Sequence, residues 1–450
     1  MGEAKISIIG AGSFFTNNWI KDIMLASEPS KGVFALVDTD EDRLRLAHKI
    51  AQKVVDNFDG NWKIRSHTER TEIIQDSDFL INTIEVSGLD TVEYDYEIPK
   101  KYGVDQCIGD TTGPGGLMKG LRTIPSWIEI LKDAENLCPN ALVLNYTNPM
   151  NMMTLIANKI SNLAIVGLCH SAQRTSRDLA NYLKIPYEKL EWECAGINHM
   201  SWFTKLACEG RALYPALKKK ALDPEFYKRD PIRFEMMLQL GYFVTESSGH
   251  FSEYLPYFRK REELIDRYCR EGYKGESGFY ARNWPKWRKA MDLYRKKWVK
   301  NEDIPSNVLE KVPGKGIDLS SRSHEYGSYI IESHFKEKPF KFYGNFPNNG
   351  LIDNLPGHGI VEVQSLADQN GFQPCKFGKL PEQLAALNRP HLSLHKMAVE
   401  SILEEDREKS IRALMLDPLT SAACSPQEIR EMAEELFQAE ADYLPEFIIK

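Results

Sequence analysis

The sequence predicts an α/β protein with an N-terminal doubly wound parallel sheet and a C-terminal α+β domain. From Lys5 to Cys169, short apolar segments alternate with helix-length segments, which is typical of a parallel sheet with crossover helices. Charged helical segments dominate the last part of the chain instead. A length of 450 residues also exceeds one simple domain. We therefore divide the chain into an N-terminal domain, residues 1–195, and a C-terminal substrate and oligomerisation domain, residues 196–450.

The composition excludes several classes of protein. Hydrophobic residues make up 42% and charged residues 27% of the chain, which is ordinary for a globular protein. The net charge of −7 argues against nucleic-acid binding. The 8 cysteines form no CxxC pair, which favours reduced thiols in the cytoplasm over a disulfide framework. We see neither a signal peptide nor an apolar run near the roughly 20 residues of a membrane span, so we expect no membrane association.

Five strands are predicted in the first half of the chain. They are "KISIIG" at 5–10, "VFALV" at 33–37, "SDFLINTIEVSG" at 77–88, "NALVLNYTNP" at 140–149 and "NLAIVGLC" at 162–169. Helical spacing is predicted over 17–26, 41–58 and 127–135. Ligands of wound sheets bind at the carboxyl ends of the strands, so the residues that follow these strands are the functional candidates.

The turn after the first strand carries part of a dinucleotide-binding motif. Gly10 suits a tight turn, Gly12 suits close approach of a diphosphate, and Ser13 follows. Phe15 stands where a third glycine is usual, so a simple strand-to-helix turn is the alternative. Asp38 ends the second strand, the position of a carboxylate that binds ribose hydroxyls. This pattern predicts nucleotide binding, and the acidic residue favours NAD over NADP.

Polar residues also follow the later strands. Asn145 and Asn148 end the fourth strand, where the alternative is a capping turn before Pro149. Cys169 ends the fifth strand, and His199 follows in "CAGINHMSWF". Each of these two is, taken alone, typical of a core residue. Together a thiolate and an imidazole with open positions suit a catalytic divalent metal.

Seven segments together resemble glycoside hydrolase family 4, and its α-galactosidase (melibiase) branch most of all. They are "GAGS", "GDTTGPGG", "NYTNPMN", "GLCHS", "GINHMSWF", "GYFVTESSGHFSEY" and "NNGLIDNLP". The resemblance runs from Lys5 to "DYLPEF", nearly the whole chain. The Cys-His-Ser form of the cysteine motif is similar to that of the galactosidase branch.

The resemblance implies a Rossmann-like N-terminal domain of the lactate/malate dehydrogenase type and an enzyme that requires NAD+ and Mn2+ or another divalent metal. In this family bound NAD+ oxidises the sugar at C3, a base removes the C2 proton, and the aglycone leaves by elimination. Water then adds and hydride returns, so there is no net redox change. We expect a small α-glycoside as substrate and a homodimer or homotetramer. An α-glucosidase, glycosiduronase or sulfoquinovosidase-like specificity stays open.

The resemblance also implies roles for individual residues. Cys169 and His199 match the metal ligands, and Asn148 matches a residue that binds a sugar hydroxyl near the metal. His170 stands where relatives have a polarising or acid group. Asn145 joins the first turn and Asp38 among the predicted cofactor contacts.

The acid and the base are the least determined roles. Asp110 is the first choice for the acid that assists the leaving group, with a turn carboxylate as the alternative. His250 and Tyr254 are the candidate bases, four residues apart, while Gly249 stands where we expect an acidic residue in melibiases. The alternative is that both only line the pocket.

Two other functions remain open from the sequence. A dehydrogenase acting on a small hydroxy acid predicts net NADH formation and no need for Cys169. A nucleotide-sensing protein gives no reason to gather Cys169, His199 and Asn148. The basic and aromatic region from Arg259 to Lys300 is interpreted as a solvated helical face or subunit contact that brings aromatic residues to the sugar site.

Overall fold

The first half of the chain forms a parallel sheet wound on both faces. The computed structural model describes residues 3–58, 61–336 and 338–450. The strands of this half are β1 (Ala4–Ile9), β2 (Lys31–Val37), β3 (Asn61–His67), β4 (Phe79–Asn82), β5 (Leu142–Asn145) and β6 (Ala164–Gly167). The helices are α1 (Phe15–Met24), α2 (Glu41–Val55), α3 (Tyr94–Lys101), α4 (Gly113–Leu137), α5 (Met150–Ile160) and α6 (Ser171–Leu183). The six strands pair in parallel in the order β3-β2-β1-β4-β5-β6, the classic dinucleotide-binding order.

The second half extends the same sheet with antiparallel strands. They are β7 (Leu190–Ile197), β8 (Met200–Cys208), β9 (Arg211–Ala212), β10 (Phe243–Val244), β11 (Phe340–Pro347), β12 (Ile360–Asp368) and β13 (Gly371–Pro374). Asn345 on β11 pairs with Gly167, which joins the two parts into one 13-stranded sheet over the described residues. The predicted domain division at residue 195 falls within β7 and stays a prediction.

Thirteen helices surround these strands in the described part of the second half. They are α7 (Tyr214–Ala221), α8 (Pro224–Tyr227), α9 (Pro231–Leu240), α10 (Ser248–Phe251), α11 (Glu262–Tyr268), α12 (Phe279–Lys300), α13 (Ser306–Leu309), α14 (Tyr326–Lys336), α15 (Glu382–Leu403), α16 (Arg407–Leu414), α17 (Pro418–Ala423), α18 (Pro426–Ala439) and α19 (Glu446–Ile449). No described helix is both long and apolar enough to cross a bilayer. The mixture of strands and helices confirms the predicted α+β character of this half.

The core lies on both faces of the sheet, as a doubly wound fold requires. Successive residues of a strand point to opposite faces. Ile8 packs into one apolar cluster and Ile9 into the other, and Ile81 and Leu80 divide in the same way. All four are buried.

Helices α3, α5 and α6 were not predicted from the sequence, and β3 and α4 differ from the prediction for identifiable reasons. Strand β3 was not predicted because it lies at the sheet edge, where only Trp62 of its residues is buried and no apolar run is needed. Helix α4 begins at Gly113, well before the predicted start at Trp127. Its glycine-rich first turns and Pro125 conceal the helical pattern.

A buried ionic network ties the C-terminal helices to the wound sheet. Arg122 on α4 donates to both carboxylate oxygens of Asp95 on α3, at 3.1 and 2.7 Å. Arg122 also donates to Glu440, directly after α18, at 2.8 Å. All three residues are buried. The guanidinium therefore bridges two carboxyl groups that are distant in sequence.

Replacing Arg122→Leu is expected to destabilise the fold by about 3–5 kcal/mol, because two carboxylates lose their buried counter-charge. The matched control is Arg70→Leu, whose ion pair with Asp133 is partly exposed and contributes at most about 1 kcal/mol. Chemical denaturation of the three proteins measures the difference. Equal midpoints for Arg122→Leu and the wild type would contradict the role of the network.

Candidate active site

The turn after β1 brings backbone close to the neighbouring strands. Gly10 has φ +83°, and a Cβ there would lie 2.6 Å from the carbonyl oxygen of Thr83. A Cβ on Gly12 would lie 2.6 Å from Asp38 Oδ2. Asp38 instead accepts the N–H of Gly12 at 2.6 Å, and Ser13 donates its N–H to the Gly10 carbonyl at 3.0 Å. The side chain of Asp38 is thus fixed at the end of β2, beside the first turn.

The end of β5 is a buried amide network. Asn145 accepts from Asn82 Nδ2 at 2.8 Å and donates to the Thr147 carbonyl at 3.1 Å. Because β4 and β5 pair at these two asparagines, the contact fixes the mouth of the sheet. Asn148 follows, half-buried, and joins Pro149 through a cis peptide bond.

Three metal-binding groups converge beyond β6. Cys169, His199 and Glu246 each offer one donor atom, and these atoms lie within 4.8 Å of one another. His199 Nε2 is 3.8 Å from Glu246 Oε2. The backbone of His199 and of Glu246 is left-handed, with φ 63° and 70°, which is uncommon outside glycine and frequent at functional sites.

Burial governs the charges of this cluster. Burial raises the pKa of the Cys169 thiol to about 11, against the opposing effect of His170. Burial also acts to raise the pKa of Glu246, but the nearby His199 and His250 rings lower it to about 2. His199 Nδ1 is buried, and no described residue partners it. A thiol, an imidazole and an ionised carboxylate in this arrangement form a donor set suited to a divalent transition metal.

Glu246 was missed by the sequence analysis. It lies within "GYFVTESSGHFSEY", the segment in which only His250 and Tyr254 were singled out. An acidic residue inside a recognised motif was the available signal. Gly249 of the same segment has no room for a side chain, because a Cβ would lie 2.6 Å from Cys107 Sγ.

A second charged group lies beside the first. Asp110 Oδ1 is 3.7 Å from His250 Nε2, and Asp110 Oδ2 is 3.7 Å from Lys119 Nζ. Glu85 lies 3.2 Å from the same ammonium group. The ring of His250 stacks edge-on against that of His199, 4.4 Å away. Asp110, Lys119 and His250 thus form one cluster with the three donor groups.

The electrostatics of this second group favour an ionised Asp110. Burial acts to raise its pKa, but Lys119 and His250 lower it to about 2. Burial and the charge of His199 lower the pKa of His250 to about 4, so this ring is neutral near pH 7. The acid role predicted for Asp110 stays a prediction, and it requires that Asp110 receive a proton during turnover.

Glu253 fixes the loop that carries Asp110. Its carboxylate accepts the backbone N–H groups of Cys107, Ile108 and Gly109 at 2.6, 2.5 and 3.0 Å. Glu253 is buried and belongs to the same motif as Glu246. The sequence analysis missed this contact, since a carboxylate that binds distant backbone leaves no local pattern.

The remaining predicted residues border these groups. His170 is half-buried and immediately precedes α6. Tyr254 is 1% exposed, with its ring 6.0 Å from that of His250. Burial raises the pKa of Tyr254 well above 10, so the side chain stays a phenol. His250 and Tyr254 share the short turn that continues α10, which brings both rings to the cluster.

A cavity opens beside Asp110 and Lys119. Glu85 and the rings of Tyr280 and Trp284 also line it. The two rings belong to α12 and stack with centroids 5.3 Å apart. The basic and aromatic region thus places two aromatic side chains beside Asp110 and Lys119, and their contact with a sugar stays a prediction.

Comparisons with known proteins match nearly the whole chain to one family. Residues 5–185 match the Family 4 glycosyl hydrolase model, and residues 194–420 match the Family 4 glycosyl hydrolase C-terminal domain. An alpha-galactosidase of Bacillus subtilis (strain 168) is 40% identical over 448 residues, covering 98% of this chain and 99% of the relative. An alpha-galactosidase of Rhizobium meliloti (strain 1021) is 33% identical over 453 residues, covering 99% and 90%.

Solved structures share the fold. A 6-phospho-alpha-glucosidase from gut microorganisms, solved with NAD and Mn2+, superposes with a TM-score of 0.80 at 20% identity, covering 99% of this chain and 100% of that chain. A malate dehydrogenase from Plasmodium falciparum superposes with a TM-score of 0.51 at 15% identity, covering 91% and 99%. These likenesses confirm the dehydrogenase-like sheet. With both family models matched and relatives aligned over nearly the full length, the chain belongs to glycoside hydrolase family 4.

Proposed function

We propose that this enzyme is an NAD+- and divalent-metal-dependent α-galactosidase that acts on small uncharged α-galactosides. The observation that carries the proposal is the convergence of Cys169, His199 and Glu246 beside Asp110 and His250 at the mouth of a wound sheet. The two α-galactosidases, 40% and 33% identical over nearly the full chain, support the galactoside specificity.

The described residues fit a divalent metal. Cys169, His199 and Glu246 supply sulfur, nitrogen and oxygen donors within 4.8 Å, in a buried setting. A fourth position open to substrate would make this a catalytic rather than a structural site. When bound, the metal supplies Lewis-acid polarisation of sugar hydroxyl oxygens. Asn148, next to Pro149 at the same rim, is the residue we propose to bind a sugar hydroxyl.

The first turn fits a dinucleotide. The absence of a Cβ on Gly10 and Gly12 lets the turn pack directly against Thr83 and Asp38, and Asp38 is held where ribose hydroxyls bind. Ser13 and Asn145 complete the proposed cofactor contacts. When bound, NAD+ supplies reversible hydride transfer at the sugar, so hydrolysis proceeds without net oxidation.

The protein's own side chains supply the proton transfers. His250 presents a buried Nε2 without a hydrogen-bond partner among the described residues, and we propose that this nitrogen removes the C2 proton. Asp110 faces the same nitrogen at 3.7 Å and would protonate the leaving oxygen. Tyr254, held as a phenol, lines the pocket, and His170 would orient the sugar beside Cys169.

The pocket charges support an uncharged sugar. Lys119 and Arg122, the two cations among the described residues that line the cavity, are already paired. Lys119 contacts Glu85 and Asp110, and Arg122 is bound in the network described above. A sugar carboxylate or phosphate would meet Glu85 and Asp110 without an available counter-charge.

Hydrolysis in D2O is expected to yield galactose that carries deuterium at C2. Elimination breaks the C2–H bond, and its re-formation takes a proton from solvent, whereas direct displacement leaves that bond intact. NMR or mass spectrometry of the product measures the label. His250→Ala is expected to lose both hydrolysis and exchange, while Tyr254→Phe retains exchange. Unlabelled galactose from the wild type would contradict the mechanism.

Cys169→Ser and Glu246→Gln are each expected to weaken Mn2+ binding by about tenfold or more, because each removes a charged donor. Titration of the metal-free proteins, followed by calorimetry and by the Mn2+ electron paramagnetic resonance signal, measures this directly. Cys194→Ser, a buried thiol outside the cluster, is the matched control. Wild-type affinity in Glu246→Gln would remove this residue from the ligand set.

Glu85→Gln is expected to shift the kcat/KM ratio of 4-nitrophenyl α-galacturonide to 4-nitrophenyl α-galactoside upward by about tenfold. Loss of one negative charge leaves Lys119 available to pair with a sugar carboxylate. A gain of about 1.4 kcal/mol in Coulomb energy is enough to change the ratio about tenfold. Glu129→Gln, an exposed carboxylate elsewhere, is the control. An unchanged ratio would show that Glu85 does not select the substrate charge.

A further inference from the structure

One face of helix α12 lies along the cleft. Tyr280, Trp284, Arg288 and Arg295 follow at intervals of four, four and seven residues, so they share a helical face. The first two line the cavity described above. Arg295 reaches the first turn, where its Nη1 donates to the Gly12 carbonyl at 2.7 Å. The helix thus spans from the sugar cavity to the dinucleotide turn.

Arg295 differs from the other buried arginines of the described residues because it has no carboxylate partner. The other buried arginines each contact a carboxylate: Arg122 with Asp95 and Glu440, Arg233 with Asp230, and Arg259 with Asp105. Arg295 is 0% exposed, and within the described ranges no carboxylate oxygen lies within 4.0 Å of it. Its Nε and Nη2 are buried without a hydrogen-bond partner there. Such a guanidinium is costly unless an anion binds it.

Two further guanidinium groups, those of Arg43 and Arg288, lie near Arg295. Arg43 donates to the Gly12 carbonyl at 2.7 Å and pairs with Asp292 at 3.1 Å. Arg288 has a buried Nε without a partner among the described residues. Burial above all, and then the charge of Arg43, lower the pKa of Arg295 to about 10. Of these three guanidinium groups, only Arg43 has a described carboxylate within 4.0 Å, so Arg288 and Arg295 carry unpaired positive charge.

The location of this excess charge matches the path of a dinucleotide. Asp38 ends β2, Glu85 follows β4, and β1 lies between these strands. Burial and the charge of Arg43 lower the pKa of Arg288, whereas the charges of Asp38 and Glu85 act to raise it. Arg288 therefore lies close enough to both carboxylates to interact with them electrostatically. The diphosphate of a dinucleotide crosses a wound sheet over the turn that follows the first strand.

We propose that Arg288 and Arg295 of α12 bind the diphosphate of NAD+, so that the C-terminal half of the chain closes the cofactor site of the N-terminal half. This proposal rests on the proposed NAD+ dependence. Guanidinium groups match phosphate oxygens in charge and geometry. The same helix carries the aromatic rings of the sugar cavity, so cofactor binding would also fix that wall.

Calorimetric titration of the full-length protein with NAD+, ADP-ribose and adenosine tests the proposal. Arg295→Met and Arg288→Met are expected to weaken NAD+ and ADP-ribose binding by about 10- to 100-fold, since each removes hydrogen bonds to a charged partner. Binding of adenosine, which has no phosphate, is expected to be unchanged. Lys296→Met removes a neighbouring exposed cation of the same helix and is expected to bind like the wild type.

Thermal unfolding separates this role from a purely structural one. Without NAD+, Arg295→Met is expected to melt at or above the wild-type temperature, because an unpaired buried charge is removed. With NAD+, its stabilisation is expected to be smaller than that of the wild type. A lower melting point without NAD+, together with unchanged NAD+ affinity, would overturn the proposal. Arg288→Met provides the affinity measurement if Arg295→Met does not fold.

Three other results of the titrations separate failure of the proposed NAD+ dependence from failure of the diphosphate contact. If the wild type binds no NAD+, the proposed NAD+ dependence fails. If the wild type binds NAD+ and both arginine variants bind it equally well, only the diphosphate contact is overturned. Selective loss of NADP+ binding, with NAD+ affinity intact, would assign the arginines to a 2′-phosphate and would also overturn the proposal.

Discussion

The convergence of a thiol, an imidazole and a carboxylate in one buried volume is the constraint on which the rest of the site depends. Cys169 follows the parallel strand β6, His199 lies in the turn between β7 and β8, and Glu246 follows β10. Burial disfavours every charge in this cluster unless an opposite charge balances it. His199 and Glu246 adopt left-handed backbone to meet Cys169, so the chain accepts local strain to assemble the group.

Sequence alone predicted what depends on local pattern. The wound sheet was predicted because β1, β2, β4, β5 and β6 are predominantly apolar, as burial on both faces favours. Strand β3 lacks that signal because it lies at the edge, and α4 lacks it because glycines and a proline fill positions that pack closely. Cys169 and His199, each typical of a core residue when taken alone, were predicted together as a metal pair, and the resemblance to the family implied the same role.

The residues that sequence missed act through distant contacts. Glu253 binds backbone about 145 positions earlier, and Glu246 meets Cys169 across different strands. Neither contact produces a periodic pattern, so only the folded chain reveals it. Arg295 and Lys296 are neighbouring basic residues that no sequence pattern distinguishes. In the structure Arg295 is 0% exposed, whereas Lys296 faces solvent.

The buried charges of this protein differ in whether a carboxylate of the same chain balances them. Arg122, Arg233 and Arg259 hold the fold together, and each is neutralised by a carboxylate of the same chain. Arg295 is 0% exposed, and its Nε and Nη2, like Nδ1 of His199 in the donor cluster, have no hydrogen-bond partner among the described residues. Stability alone would replace such groups with apolar residues of similar volume. The ligands proposed above, an anion at the first turn and a cation at Cys169, would supply the missing charge.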